Sequence, residues 1–185
     1  MRITGGQARG IPLALPKGDA VRPATDALRQ AVFSSLAARV PEARFLDLFA
    51  GSGAYGLEAY SRGAAGGMFV ESNTRTAAFI RQNITAVGKS LGRDASELQV
   101  VNADATTVSW GAAPDLVFID PPYDIILTIA PKLFTRLADL LPLKPDLIVV
   151  FEMPGEMELT PAGWTCLKRL GKGVRQPTAC VFNAS

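Results

Sequence analysis

The chain has 185 residues, 48% hydrophobic and 19% charged, a composition that suits one globular domain with a sizeable core and excludes a disordered chain. It holds no histidine and only two cysteines, which excludes Ser-His-Asp or Cys-His catalysis, a disulfide framework and a Cys-x-x-Cys metal site. The formal net charge of +2 excludes little until it is divided along the chain.

Residues 1–30 carry five Lys/Arg against two Asp, and residues 159–185 carry four Lys/Arg with no acid, so the two ends together are +7. Residues 31–158 carry ten basic and fifteen acidic side chains, a net −5. Basic ends around an acidic middle point to a polyanion-facing surface built from the termini. The longest apolar runs, such as Leu147 to Phe151, fall far short of a membrane helix, and Met1 to Gly6 has no signal-peptide core. The expected location is the cytoplasm. Cys166 and Cys180 are both expected to be ordinary buried side chains.

In chain order, Gly5-Gly6 and Arg9-Gly10, flanked by short apolar stretches, predict a small hairpin. Asp26 to Arg39 predicts an amphipathic helix with Ala27, Val32, Phe33 and Leu36 inward, capped by Thr25 or Asp26. From residue 44, β-rich runs alternate with helical stretches. Residues 44–49, 67–71, 98–101, 116–119 and 147–151 predict five strands, the last two being continuous apolar runs of the kind buried on both faces of a parallel sheet. Helices are expected near 54–62, 74–88 and 124–140, and the alternation predicts a doubly wound α/β fold. Trp164 to Leu170 and Thr178 to Phe182 have no helix between them, which predicts a terminal antiparallel hairpin. The expected organisation is a polyanion-facing extension over residues 1–43 and a sheet domain over 44–185.

Asp47 to Gly56 follows the first strand and opens the next helix. Its glycines allow a tight turn and close approach of a ligand, and the helix start offers unpaired N–H groups. Two acids accompany it at successive strand ends. Glu71, followed by Ser72, stands where a carboxylate can accept from both ribose hydroxyls, and Asp104, followed by Ala105, could accept from an adenine amino group. The candidate cofactor loop is Asp47, Phe49, Ala50, Gly51, Ser52 and Gly53. NAD and S-adenosylmethionine (SAM) both contain adenosine, so the three acids do not separate them. Asp47 would repel a pyrophosphate yet support a cationic amino-acid moiety, which favours SAM.

Asp120-Pro121-Pro122-Tyr123 follows the fourth strand directly. An amino group on a nucleobase is a poor nucleophile because its lone pair is delocalised into the ring. Two acceptors aimed at its hydrogens, the Asp120 carboxylate and the Pro121 carbonyl, favour a pyramidal nitrogen that can attack. Pro121 and Pro122 restrict the backbone that carries the carbonyl, and Tyr123 offers an aromatic face to an unstacked base.

Asp47 to Gly56, Glu71, Asp104 and Asp120 to Tyr123 together resemble the SAM-binding and catalytic motifs of class I amino-methyltransferases. Arg2 to Gly10 and Val21 to Arg29 narrow the resemblance to the bacterial RsmD family, which methylates N2 of a guanine in small-subunit ribosomal RNA. The resemblance runs from Arg2 to about Glu152. It implies a class I SAM-dependent methyltransferase (Rossmann-like) central sheet, mostly parallel with a C-terminal antiparallel hairpin, plus a small N-terminal hairpin-helix extension. It also implies SAM as donor, small-subunit ribosomal RNA or its particle as partner, no metal, and Arg9, Arg22, Thr25 and Arg29 as substrate contacts. A monomer is expected. Ala24 stands where the family usually has a second Thr and Gln30 where it has Glu. Arg22 and Arg29 are equally placed to anchor the N-terminal helix. Competing readings are methylation of adenine N6 or cytosine N4, and a SAM-binding nucleic-acid module without catalysis.

Overall fold

A computed structural model describes residues 1–15, 25–171, 173 and 176–185. Arg22, expected to face the substrate, lies outside the described residues. The first helix, α1, covers Asp26–Ser35, and the Thr25 side chain caps it by accepting from the Leu28 amide at 3.1 Å. It ends four residues before the expected Arg39, because the chain turns at Leu36. Val32, Phe33 and Leu36 face inward as expected; Ala27 does not, and Leu28 takes its place in the stripe.

From there the expected alternation holds. The strands are β1 (Arg44–Leu48), β2 (Gly66–Val70), β3 (Leu98–Val101), β4 (Leu116–Ile119) and β5 (Ile148–Pro154), with helices α2 (Ala54–Ser61), α3 (Thr74–Leu91) and α4 (Ile126–Ala138) between them. The terminal hairpin is β6 (Trp164–Leu170) and β7 (Pro177–Ala184). All seven form one sheet in the order β3-β2-β1-β4-β5-β7-β6, parallel through β5 and antiparallel where β7 pairs with β5 and β6. Cys180 on β7 is buried, but Cys166 lies on β6, the edge strand that pairs with β7, and is exposed, against expectation.

Two apolar layers sandwich the sheet because successive side chains on its buried strands point to opposite faces. Phe45, Leu116, Phe118, Ile148 and Val150 face one layer, which also takes Val32 and Phe33 of α1 and Leu57 of α2. Leu46, Val117, Ile119, Val149 and Phe151 face the other, against Ile129, Leu133 and Leu137 of α4. Ile3, Ala8 and Leu13 belong to the first layer, so the N-terminal residues share their core with the sheet. Among the described residues no helix is long and apolar enough to cross a membrane.

Strand order reverses between β1 and β4: β2 and β3 lie to one side of β1, β4 and β5 to the other. Ligands of such sheets bind beyond the carboxyl ends of the strands at this crevice. The register pairs Leu48 with both Val70 and Ile119, which brings Phe49, Glu71 and Asp120 out at one edge.

Candidate active site

The loop leaving β1 is built from left-handed backbone. Gly51 and Gly53 have φ of 54° and 77°, and Phe49, which is not a glycine, has φ of 58°. A bulky side chain in that region is strained, and such strain persists only where the surroundings impose it. The impositions are visible. The Ala50 amide donates to the Val70 carbonyl at 3.0 Å, and the Gly53 amide to Ala50 at 2.7 Å. Asn83 of α3, which drew no attention in the sequence, donates to the Ser52 carbonyl at 2.9 Å. The same amide exchanges two bonds with the Ala14 backbone, at 2.8 and 3.0 Å, and so ties the N-terminal segment to the loop. The Ser52 hydroxyl lies 3.1 Å from the Met1 sulfur.

Glu71 is more than a solvated strand end. One oxygen accepts from the Gly51 amide at 3.0 Å and the other from the Asn73 amide at 2.8 Å. Asn102 donates to the carbonyls of Glu71 and Ser72 at 2.7 and 2.8 Å, fixing the loop between β2 and α3. Glu71→Ala is therefore expected to loosen the glycine loop, and with it any ribose contact that Glu71 is proposed to make. SAM affinity measured by calorimetry should fall by about 1.5–3 kcal/mol, the usual worth of hydrogen bonds to a charged group. Unchanged affinity would remove Glu71 from the cofactor site.

Asp104 accepts from both the amide and the hydroxyl of Thr106 at 2.7 Å. These bonds hold its carboxyl below the usual range, so it stays an anionic acceptor. Ala105 beside it is buried, and its carbonyl accepts from Arg136. Asp47 is the opposite case. It is 1% exposed and accepts from the Gly56 amide at 2.9 Å. Burial raises its pKa to about 8, with the Glu71 charge adding to the rise and the Gly56 bond opposing it.

The Asp120 amide bonds back to the Leu48 carbonyl at 3.4 Å, which sets the reactive motif beside the glycine loop. Pro121 is buried and Pro122 exposed. Tyr123 opens a 3-10 turn that leads into α4; its ring is half-buried against the α4 layer and its hydroxyl oxygen is buried.

The substrate residues named from the resemblance divide differently. Thr25 caps α1. Arg9 is exposed, in a turn whose neighbours Gln7 and Ala8 bond to Ser61 at 2.8 and 2.9 Å, at the end of α2 farthest from the glycine loop. Arg29 is a correction: its side chain is 0% exposed and cannot contact RNA. Its guanidinium bridges Asp26 at 2.9 Å and the fully buried Glu58 at 3.3 Å, and donates to the Arg2 carbonyl. Glu58 in turn accepts from the Thr4 amide and hydroxyl, both at 2.8 Å, and from Arg62 at 2.9 Å. The anchor reading of Arg29 is the one its geometry supports.

Comparison with known proteins adds to this geometry. The chain is 38% identical over 125 residues to the Escherichia coli K12 protein named ribosomal RNA small subunit methyltransferase D, a match covering 66% of this chain and 60% of that relative. The Haemophilus influenzae protein of the same name is 29% identical over 181 residues, covering 94% of this chain and 90% of the relative. The solved structure of the Escherichia coli protein yhhF superposes with a TM-score of 0.76 at 30% identity, covering 100% of this chain and 98% of that one. The fold is that of the SAM-dependent methyltransferases. A family model described as conserved hypothetical protein 95 matches residues 1–179, and the chain belongs to that family, as its likeness to the methyltransferase D relatives also indicates.

Proposed function

We propose that the protein transfers a methyl group from SAM to the exocyclic N2 of a guanine in small-subunit ribosomal RNA. The observation that carries this reading is Asp120-Pro121-Pro122-Tyr123, set beside a strained glycine loop at the crevice of the sheet. The names of the relatives support ribosomal RNA as the substrate.

The residues present fit SAM. The Asp47 carboxyl, neutral while the site is empty, can ionise against a cationic amino-acid end, and Glu71 and Asp104 are suited to the ribose and the adenine. SAM supplies a methyl group on a positively charged sulfur, open to displacement by an amine. Asp120 and the Pro121 carbonyl accept from the two amino hydrogens and pyramidalise the nitrogen. The proton released on transfer leaves to Asp120 or to water. Orientation of this kind accounts for roughly 7–11 kcal/mol of a barrier in favourable cases, so the absence of histidine is no obstacle.

Incubation with methyl-labelled SAM, naked small-subunit RNA and ribosomal particles, followed by digestion to nucleosides, tests the reading. N2-methylguanosine is the expected product. N6-methyladenosine or N4-methylcytidine would replace it with a neighbouring specificity, and bound SAM without transfer would replace it with a binding module.

Asp47 gives a second, independent check. For the free protein, an acid raised from 3.8 to about 8 contributes less to stability as pH climbs through that interval, because the fold must then hold a buried charge. A cationic ligand seated there draws out the ionised form, so binding releases a proton. Affinity is then limited by the ionised fraction and is expected to rise about tenfold between pH 6 and pH 7. Asp47→Asn should flatten that dependence. Calorimetry in buffers of different ionisation heat reads both, and a flat profile in the parent protein would detach Asp47 from the cationic end.

A further inference from the structure

Glu152 is an acid in the middle of an apolar strand, and the transfer reaction above does not use it. It is 1% exposed on β5. In the register of β4 and β5, Ile119 pairs with Phe151, so Asp120 and Glu152 are the next neighbours beyond that pair. Leu116 and Phe118 share a sheet face with Ile148 and Val150. Continued by two, that alternation puts Asp120 and Glu152 on the same face. Over this face lies Tyr55 of α2, stacked on Phe118 with ring centroids 5.3 Å apart and 17° between planes. Its hydroxyl donates to one Glu152 oxygen at 2.9 Å. The other Glu152 oxygen is buried with no hydrogen-bond partner, a costly arrangement that a core role alone does not need.

Tyr55 bonds one of these two carboxyl groups and lies within electrostatic reach of the other. The charges of both Glu152 and Asp120 help to raise its pKa well above the ordinary tyrosine value, burial being the larger cause, and the Arg29 guanidinium opposes them. The hydroxyl therefore keeps its proton at every working pH and must give it to some acceptor. Glu152, whose carboxyl burial pushes up to about 7, takes it in the structure; Asp120 is the other acceptor within electrostatic reach.

We propose that Glu152 is a positioning residue for the transfer: by taking the Tyr55 hydroxyl, it keeps that donor from competing with the substrate amino group for the Asp120 carboxylate. The inference rests on Asp120 as the acceptor of the amino group. A donor redirected onto Asp120 would occupy a lone pair and weaken its pull on the amine hydrogens.

The test is a double-mutant cycle on single-turnover methylation of the ribosomal particle, with SAM affinity measured beside it by calorimetry. Glu152→Leu keeps the bulk and removes the acceptor. It should lower the rate about tenfold or more and leave SAM affinity within twofold, since a preorganised transition-state bond is typically worth 10²–10³ and competition removes part of it. Glu152→Gln keeps an accepting amide oxygen but adds an N–H donor, so its rate should fall between those of the parent and Glu152→Leu. Tyr55→Phe keeps the stacked ring and should also stay near parental. Combining Tyr55→Phe with Glu152→Leu should restore most of the rate, because no hydroxyl is left to stray. A double variant as slow as Glu152→Leu would make Glu152 a structural residue and overturn the proposal, as would a Tyr55→Phe variant as slow as Glu152→Leu. If Asp120→Ala is slow but Glu152→Leu is parental, only this inference fails. If Asp120→Ala itself methylates at the parental rate, the acceptor reading beneath it fails.

Discussion

Asp120→Ala is expected to lower the single-turnover rate of methylation by about 10²–10³ while SAM affinity stays at the parental value. In the proposed mechanism the variant removes one of two acceptors for the amino hydrogens, and loss of one preorganised transition-state hydrogen bond typically costs that much. Binding should be spared because Asp47, Glu71 and the glycine loop are held by their own bonds to Gly56, Gly51 and Asn73. Asp120→Asn should fall between the two, since its amide oxygen accepts but carries no charge to favour proton loss. Rapid-quench methylation of the particle, with SAM titrated by calorimetry, gives the order. Parental turnover in Asp120→Ala would require a different acceptor.

Arg29→Ala should cost the fold about 3–5 kcal/mol, the expected penalty for stranding a buried partner charge. Glu58 would keep its bonds to Thr4 and Arg62 but lose the guanidinium that also holds Asp26 and the Arg2 carbonyl. Denaturant unfolding should show the loss, and Arg29→Met combined with Glu58→Gln should recover part of it by removing both charges. A loss below about 1 kcal/mol in Arg29→Ala would mean that the network is not a structural anchor. Exposed Arg9 should behave in the opposite way. Its replacement by alanine should leave stability alone and flatten the salt dependence of RNA binding by about one unit of logarithmic slope, if Arg9 meets a phosphate.

The parts legible in the sequence were those set by local patterning. Leu116 to Ile119 and Leu147 to Phe151 read as buried strands because neither face offers a polar side chain. Asp47, Glu71 and Asp104 could be aligned as acids at successive strand ends from spacing alone. What the sequence hid was the direction of charged side chains inside helices. Arg29 in α1 reads either as an RNA contact or as a helix anchor until Glu58, 29 residues later, is brought against it. Glu58 itself sits in a helix whose every residue from Ala54 to Ser61 is buried, so no polar face betrays it. Asn83 was silent for the same reason: its partners Ala14 and Ser52 are distant in sequence. The signal that could have found Glu152 was present, a single acid interrupting the apolar run from Leu147 to Met153. Its pairing with Tyr55, 97 residues away, was not.

The Asn83 clamp also bears on how the protein is made. Synthesis runs from the N-terminus, so Ala14 leaves the ribosome 69 residues before the amide that will hold it. Ile3, Ala8 and Leu13 must meanwhile wait without the layer they finally join. Pairings this far apart form late, after the loop-closure entropy has been met. The glycine loop, which draws its shape partly from the same amide through Ser52, is thus completed only when the segment around Ala14 closes against α3, and a nascent chain halted before α3 would carry the loop without that clamp.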